Sequence, residues 1–129
     1  MGRKGSARKL TAACSISVLL VGQPSASLDR KRALLEASGF EVTLADNICY
    51  AEVFSEHQHF DAAVYDDAVA PHEQASLAGV MRIRWPWMRL VACGPISSAE
   101  LFDGNESSES ELPKALHRIL ALRSESHFR

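Results

Sequence analysis

The sequence predicts an α/β domain, a doubly wound parallel sheet with helices on both faces. Three observations carry that prediction. Short apolar runs recur, in SISVLLVG (15–22), FDAAVY (60–65) and MRLVAC (88–93), as strands covered on both faces do. Helical patterns and short loops separate the runs, and such alternation gives parallel strands joined by right-handed crossovers. A chain of 129 residues, 47% hydrophobic and 23% charged, suits one domain with an ordinary core.

Each element has its own signal. SISVLLVG is β-branched, continuously apolar and closed by Gly22. SASLDRKRALLEASG (25–39) reads as a helix, with Leu28, Leu35 and Leu34 or Ala37 on an apolar stripe and Gly39 at its C-terminal end. FEVTL (40–44) alternates as a second strand. Asn47 is placed to cap a short helix, ICYAEVFSEHQ, with Ile48, Ala51 and Phe54 or Ser55 inward. FDAAVY is the third strand. Leu77, Val80, Met81 and Arg84 follow at helical spacing, and that helix must stop before Pro86. MRLVAC is the fourth strand, closed by Gly94-Pro95. Residues 94–109 give a truncated helix at SSAEL, a stub of strand at Leu101-Phe102 and an exposed acidic loop. A last helix shows Leu112, Ala115, Leu116, Ile119 and Leu120 on one face, with Ser110 as its cap and Pro113 in its first turn.

The net charge of −2 gives no overall basic field for nucleic acid. Arg3, Lys4, Arg8 and Lys9 crowd the start, while Glu100, Asp103, Glu106, Glu109 and Glu111 crowd residues 100–112. Cys14, Cys49 and Cys93 are too few and too far apart for a disulfide framework or a zinc site, and read as buried, reduced thiols. The N-terminus admits two readings. MGRKGSARK, LTAACSISVLLVG and QPSAS have the outline of a signal peptide, whereas a strand at 15–22 makes residues 1–12 a basic tail. MGRKGS also fits a myristoylation pattern at Gly2. No apolar stretch reaches the ~20 residues of a membrane span.

In such sheets the functional crevice lies at the carboxyl ends of the strands. Gly22-Gln23, Asp66-Asp67 and Ala92-Cys93 stand there. The family likeness rests on the same places. LLVGQPSASLDRKRALLEASGFEVTLADN (19–47) resembles the first β-α-β unit of response-regulator receiver domains. FDAAVYDDAVAP (60–71) resembles their phosphoacceptor strand, in which an Asp, four apolar residues and a second Asp precede a Pro. The likeness runs from about residue 15 to 93, and to 122 with a gap. It implies a single flavodoxin-like domain over residues 13–123, with a shortened fourth helix and fifth strand. Residues 1–12 and 124–129 would then be disordered tails.

The resemblance assigns roles residue by residue. Asp66 matches the phosphoacceptor by its five-residue step from Asp61. Asp67 matches less well, although Pro71 lies at the usual distance from it. Gly22 and Gln23 fall where the family keeps the acidic pair that binds a divalent cation. Ala92, or Cys93, falls at its Ser or Thr, Asn105 at its lysine, and Phe102 at its aromatic switch position. Phosphoryl transfer to a carboxylate needs charge neutralised on the transferring oxygens. Mg²⁺ would therefore be a cofactor only if Asp66 is a working acceptor, and Asp66 alone or with Asp67 makes a weak site for it. The sequence offers no partner lysine and no hydroxyl. The plain alternative makes Asp66 a loop carboxylate that accepts backbone N–H bonds near a helix N-terminus.

Other motifs read as structural. His57, His59 and His72 lack ligand partners at metal spacing and read as surface residues. Trp85 and Trp87 either seal the bottom of the sheet or anchor a partner. No glycine-rich phosphate loop and no nucleophile elbow appears. The expected function is a cytoplasmic, stand-alone, degenerate receiver. It would not be an enzyme, and would work through a protein partner without a specific nucleic acid or a membrane. The alternatives are a conventional phosphoacceptor receiver using Asp66, and a small secreted protein with residues 1 to about 27 as its signal peptide.

Overall fold

The computed structural model describes residues 16–96 and 98–127, with side chains as far as 121. Five strands run in chain order: β1 (Ser17–Val21), β2 (Glu41–Ala45), β3 (Ala62–Tyr65), β4 (Arg89–Ala92) and β5 (Gly104–Asn105). Four helices connect and follow them: α1 (Ala26–Ala37), α2 (Ile48–His57), α3 (Pro71–Arg84) and α4 (Leu112–His127). The sheet is parallel throughout, in the order β2-β1-β3-β4-β5.

Successive strand residues feed opposite faces. Leu19, Val21, Ala63, Tyr65 and Leu90 meet Ala51 of α2 and Leu77, Ala78 and Met81 of α3. Val18, Leu20, Ala62, Val64 and Val91 meet Leu28 and Leu35 of α1 and Leu112, Leu116 and Leu120 of α4. The expected doubly wound arrangement is therefore present, with two helices on each face. The run at 17–21 is a paired, interior strand, and cleavage near residue 27 would remove it. Ser15, residues 1–12 and Cys14 lie outside the described residues.

Local signals explain most boundaries. The side chains of Ser25 and Asn47 accept the N–H groups of Leu28 and Tyr50, which caps α1 and α2. Gly39 has φ 97°, in the left-handed region that a glycine after a helix favours. Pro71 opens α3.

Four expectations are corrected. Arg84 does not belong to the apolar stripe of α3. It lies on the surface between Glu52 and Glu56 of α2, and Gln74 and Ala78 fill the stripe with Leu77 and Met81. The fifth strand is Gly104–Asn105, not Leu101-Phe102. Ala99–Leu101 forms one 3-10 turn, and Asp103 uses both its N–H and its carboxylate on the backbone of Leu90, which sets the register. Ser110 does not cap α4, because it sits inside a 3-10 turn, Glu109–Glu111, that leads into Leu112. Cys49 is exposed, while Cys93 is buried. Helix α4 continues to His127.

Strand β1 sets the prediction for stability. Val18, Leu19, Leu20 and Val21 are all 0% exposed, and burying such side chains contributes roughly 1.5–3 kcal/mol each. Their sum rivals the ~5–15 kcal/mol that holds a whole domain. A chain beginning at residue 25 should show no cooperative thermal transition by circular dichroism, and one beginning at residue 13 should keep it.

Candidate functional site at the carboxyl ends of the strands

Three loops converge because the ladders run one residue past each strand. The Asp66 N–H bonds to the Val21 carbonyl at 2.8 Å, the Cys93 N–H to Tyr65 at 2.9 Å and the Gly22 N–H to Ala45 at 3.0 Å. Two glycines permit the approach. A Cβ on Gly22 would stand 2.6 Å from the Cβ of Asp66, and one on Gly94 would stand 2.8 Å from the Cβ of Asp67. The aspartates diverge in exposure, as adjacent residues leaving a strand do. The Asp66 side chain is 1% exposed and that of Asp67 is 55% exposed.

The carboxylate of Asp66 has a partner that the sequence reading missed. Lys31 of α1 reaches it, Nζ to Oδ1, at 2.7 Å. The same ammonium donates to Ser27 Oγ at 2.8 Å and lies 3.7 Å from Asp67 Oδ1. Its three donors thus face three oxygens. Asp66 thus has a partner lysine where the sequence offered none, and it comes from the first helix and not from position 105 of β5. Lys31 lies three residues after Leu28 and four before Leu35, on the one stripe of α1 that faces the sheet. A lysine in an apolar stripe was the available signal, and periodicity alone could not say which carboxylate it meets.

The remaining oxygen, Asp66 Oδ2, accepts a long 3.4 Å bond from the Ala68 N–H. The expected backbone bond near a helix is present but secondary to the lysine. Burial disfavours the Lys31 ammonium, yet its hydrogen bond and its attraction to Asp66 outweigh this and hold its pKa above the ordinary 10.5. Burial likewise pushes the Cys93 thiol up to about 12, against the opposing charge of Lys31. That thiol is neutral at physiological pH and a poor nucleophile.

The other carried-over positions are occupied without catalytic chemistry. Asn105 Nδ2 donates to the carbonyls of Ala92 and Gly94, at 2.9 and 2.7 Å, and ties the loop after β4 to β5. Ala92 and Cys93 offer no hydroxyl. The Phe102 ring stands edge-on to Tyr65, 5.3 Å between centroids, against the buried core. Gly22 is buried and Gln23 exposed, and neither offers a carboxylate. Asp46 and Glu73 line a small cleft of about 90 Å³ with Gly22, Gln23, Asn47 and Ala68. The donor set around Asp66 does not fit a divalent cation, because an ammonium already meets its one well-placed oxygen. No group of three or more potential metal ligands occurs among the described residues. His57, His59 and His72 are exposed. At the opposite end of the sheet Trp85 is buried in the core, and Trp87 is part-exposed and stacks on His59 at 5.6 Å. No helix among the described residues is long and apolar enough to cross a membrane.

Two outcomes follow from this geometry. Gly22→Ala should destabilise the fold by about 1–3 kcal/mol in urea unfolding, because the new methyl group overpacks against Asp66. Lys31 has a raised folded pKa, so its contribution is complete below its unfolded value of 10.5 and is lost as pH rises through the folded value. The stability gap between the natural chain and Lys31→Met should hold steady from neutral pH to about pH 10, then narrow under more alkaline conditions.

No protein-family model matches the chain. Solved structures do match its fold. A CheY-like response regulator receiver domain protein from Methanospirillum hungatei superposes with a TM-score of 0.75 at 20% identity, covering 87% of this chain and 98% of that one. The signal receiver domain of an HD domain-containing protein from Pseudomonas fluorescens gives 0.74 at 15% identity, over 89% and 93%. The chemotaxis response regulator CheY4 of Vibrio cholerae gives 0.70 at 17% identity, over 81% and 98%. In sequence, the alginate biosynthesis transcriptional regulatory protein AlgB of Pseudomonas putida is 35% identical over 74 residues, which are 57% of this chain and 16% of that protein. AlgB of Pseudomonas aeruginosa is 34% identical over the same length, again 57% and 16%. The chain thus matches only about a sixth of the length of these relatives. The chain therefore has the CheY-like fold of response regulator receiver domains, a parallel five-stranded sheet with helices on both faces and Asp66 just after β3.

Proposed function

We propose that the chain is a degenerate receiver that serves phosphorelay signalling in the cytoplasm by binding a protein partner. In this reading Asp66 does not accept a phosphoryl group, and the domain is not itself an enzyme. Residues 13–123 are its functional unit. One observation carries the reading: the Asp66 carboxylate is 1% exposed and its Oδ1 is bonded to Lys31. An acceptor must present an oxygen in line with the donor phosphorus, with positive charge on the transferring oxygens. Here that oxygen faces the protein's own ammonium, beneath α1. Gly22, Gln23, Ala92 and Cys93 add neither a carboxylate for a cation nor a hydroxyl for the phosphoryl group.

The relatives support the signalling context by name only, as regulators of alginate biosynthesis. A partner read through shape needs no chemistry at Asp66. A specific nucleic acid is a poorer partner for a chain of net charge −2.

Acetyl phosphate with Mg²⁺ should leave the purified chain unlabelled. Intact mass spectrometry checks this. The conventional reading would be restored by a phosphoryl mass increment that hydroxylamine removes and that Asp66→Asn abolishes.

A further inference from the structure

Chemistry at the strand ends normally calls for a mobile cation, and the residues here do not fit one. We infer that Lys31 is the resident cation of this site: its ammonium, tethered to α1, stands in for a bound divalent ion at Asp66 and Asp67 and makes the fold independent of metal.

Four observations meet in that inference. Lys31 is 2% exposed although it is a lysine, and lysines are almost never fully buried unless paired. Its Nζ lies within 4 Å of both aspartates, 2.7 Å from Asp66 and 3.7 Å from Asp67. A divalent ion held by these carboxylates would have to compete with that ammonium for them. Gly22 stands so close to Asp66 that an acidic side chain there could not enter without displacing Asp66. Position 22, where a receiver keeps acid, is therefore closed to a metal ligand by packing as well as by residue type. Lastly, Asn105 is already spent on the carbonyls of Ala92 and Gly94, so no second cation reaches Asp66 from β5.

The two charges are complementary and local. Remove the ammonium and a buried carboxylate remains, next to a second carboxylate that is open to solvent. That remnant is a hard-oxygen site with a path to water, and a divalent cation is the species that suits it. The lysine therefore decides whether the site is a strut or a metal site.

This inference rests on the proposed degenerate reading, and its test is separable from the labelling assay. Thermal melts with and without millimolar Mn²⁺ would be run on the natural chain, Lys31→Met, Lys31→Gln and the double variant Lys31→Met with Asp66→Asn. The natural chain should not respond. Either single variant should melt lower without metal and recover by about 5 °C or more when Mn²⁺ exceeds its Kd roughly a hundredfold. A single variant that is unfolded without metal should fold when Mn²⁺ is added. The double variant should lose the response, since the buried charge is gone. If both single variants ignore Mn²⁺, or stay unfolded at every concentration, the resident-cation inference falls and Lys31 is a structural strut only. An equal response of the natural chain overturns it as well. Phosphoryl label on Asp66 of the natural chain would instead defeat the degenerate reading, whatever the melts show.

Discussion

A carboxylate buried at the end of a strand needs a positive charge within bonding distance, and Lys31 supplies it at 2.7 Å. The rest of the site is arranged around that contact. Taking both ions from water costs several kcal/mol each, which their attraction and hydrogen bonds must offset. The pair is thus weak evidence of net stability. It is strong evidence of fixed geometry, because losing either partner strands a buried charge at a cost of about 3–5 kcal/mol. Helix α1 is held by more than Leu28 and Leu35. Its lysine is fastened to the end of β3, and Ser27 and Arg30 of the same helix bond to Glu109 at 3.1 and 3.0 Å. A continuous chain of polar contacts, Asp66–Lys31–Ser27–Glu109–Arg30, therefore links the buried carboxylate to the turn that precedes α4.

The two glycines complete this arrangement. Gly22 and Gly94 matter for lacking a side chain, since each would place a Cβ under 3 Å from an aspartate. They draw the loops after β1 and β4 against Asp66 and Asp67. That closeness leaves Asp66 sheltered and Asp67 partly in water. Cys93 adds apolar cover on the α1 side, with a thiol that stays protonated.

The fold was legible because its signals are periodic. Three apolar runs, the alternating strand at 40–44, the cap at Asn47, Gly39 after α1 and the face of α4 all follow from spacing and local backbone chemistry. The missed features depend on tertiary placement. Lys31 was passed over because a lysine on a helix is most often solvated, and no pattern within α1 says that its stem crosses to β3. Arg84 erred in the opposite sense. Its spacing fits the stripe of α3, yet two glutamates on the neighbouring helix draw it outward. The fifth strand was misplaced by three residues because its register is set by the Asp103 contacts to the Leu90 backbone, not by an apolar run. The position of Asp66 after β3 was legible from sequence, but its environment was not.

The departures at the site and the shortened edge of the sheet are physically related. The resemblance to receivers puts a lysine at position 105, in β5, where it would bring charge to the acceptor and tie that strand to the site. Here β5 is two residues long, and a 3-10 turn at Ala99–Leu101 stands where a truncated fourth helix was expected. Asn105 can hold the loop after β4 in place, but it carries no charge. With the cation supplied by α1, the edge is relieved of that electrostatic duty, and its own contacts are structural. Asp103 takes Arg82 at 2.7 Å and Arg89 at 3.3 Å, and Phe102 packs its ring on Tyr65. The charge of Asp66 is thus closed between α1 and β3, while the edge of the sheet is joined to the core through packing at Tyr65. A change at that edge would reach the site through the position of β3, since among the described residues no charged group of the edge bonds to Asp66.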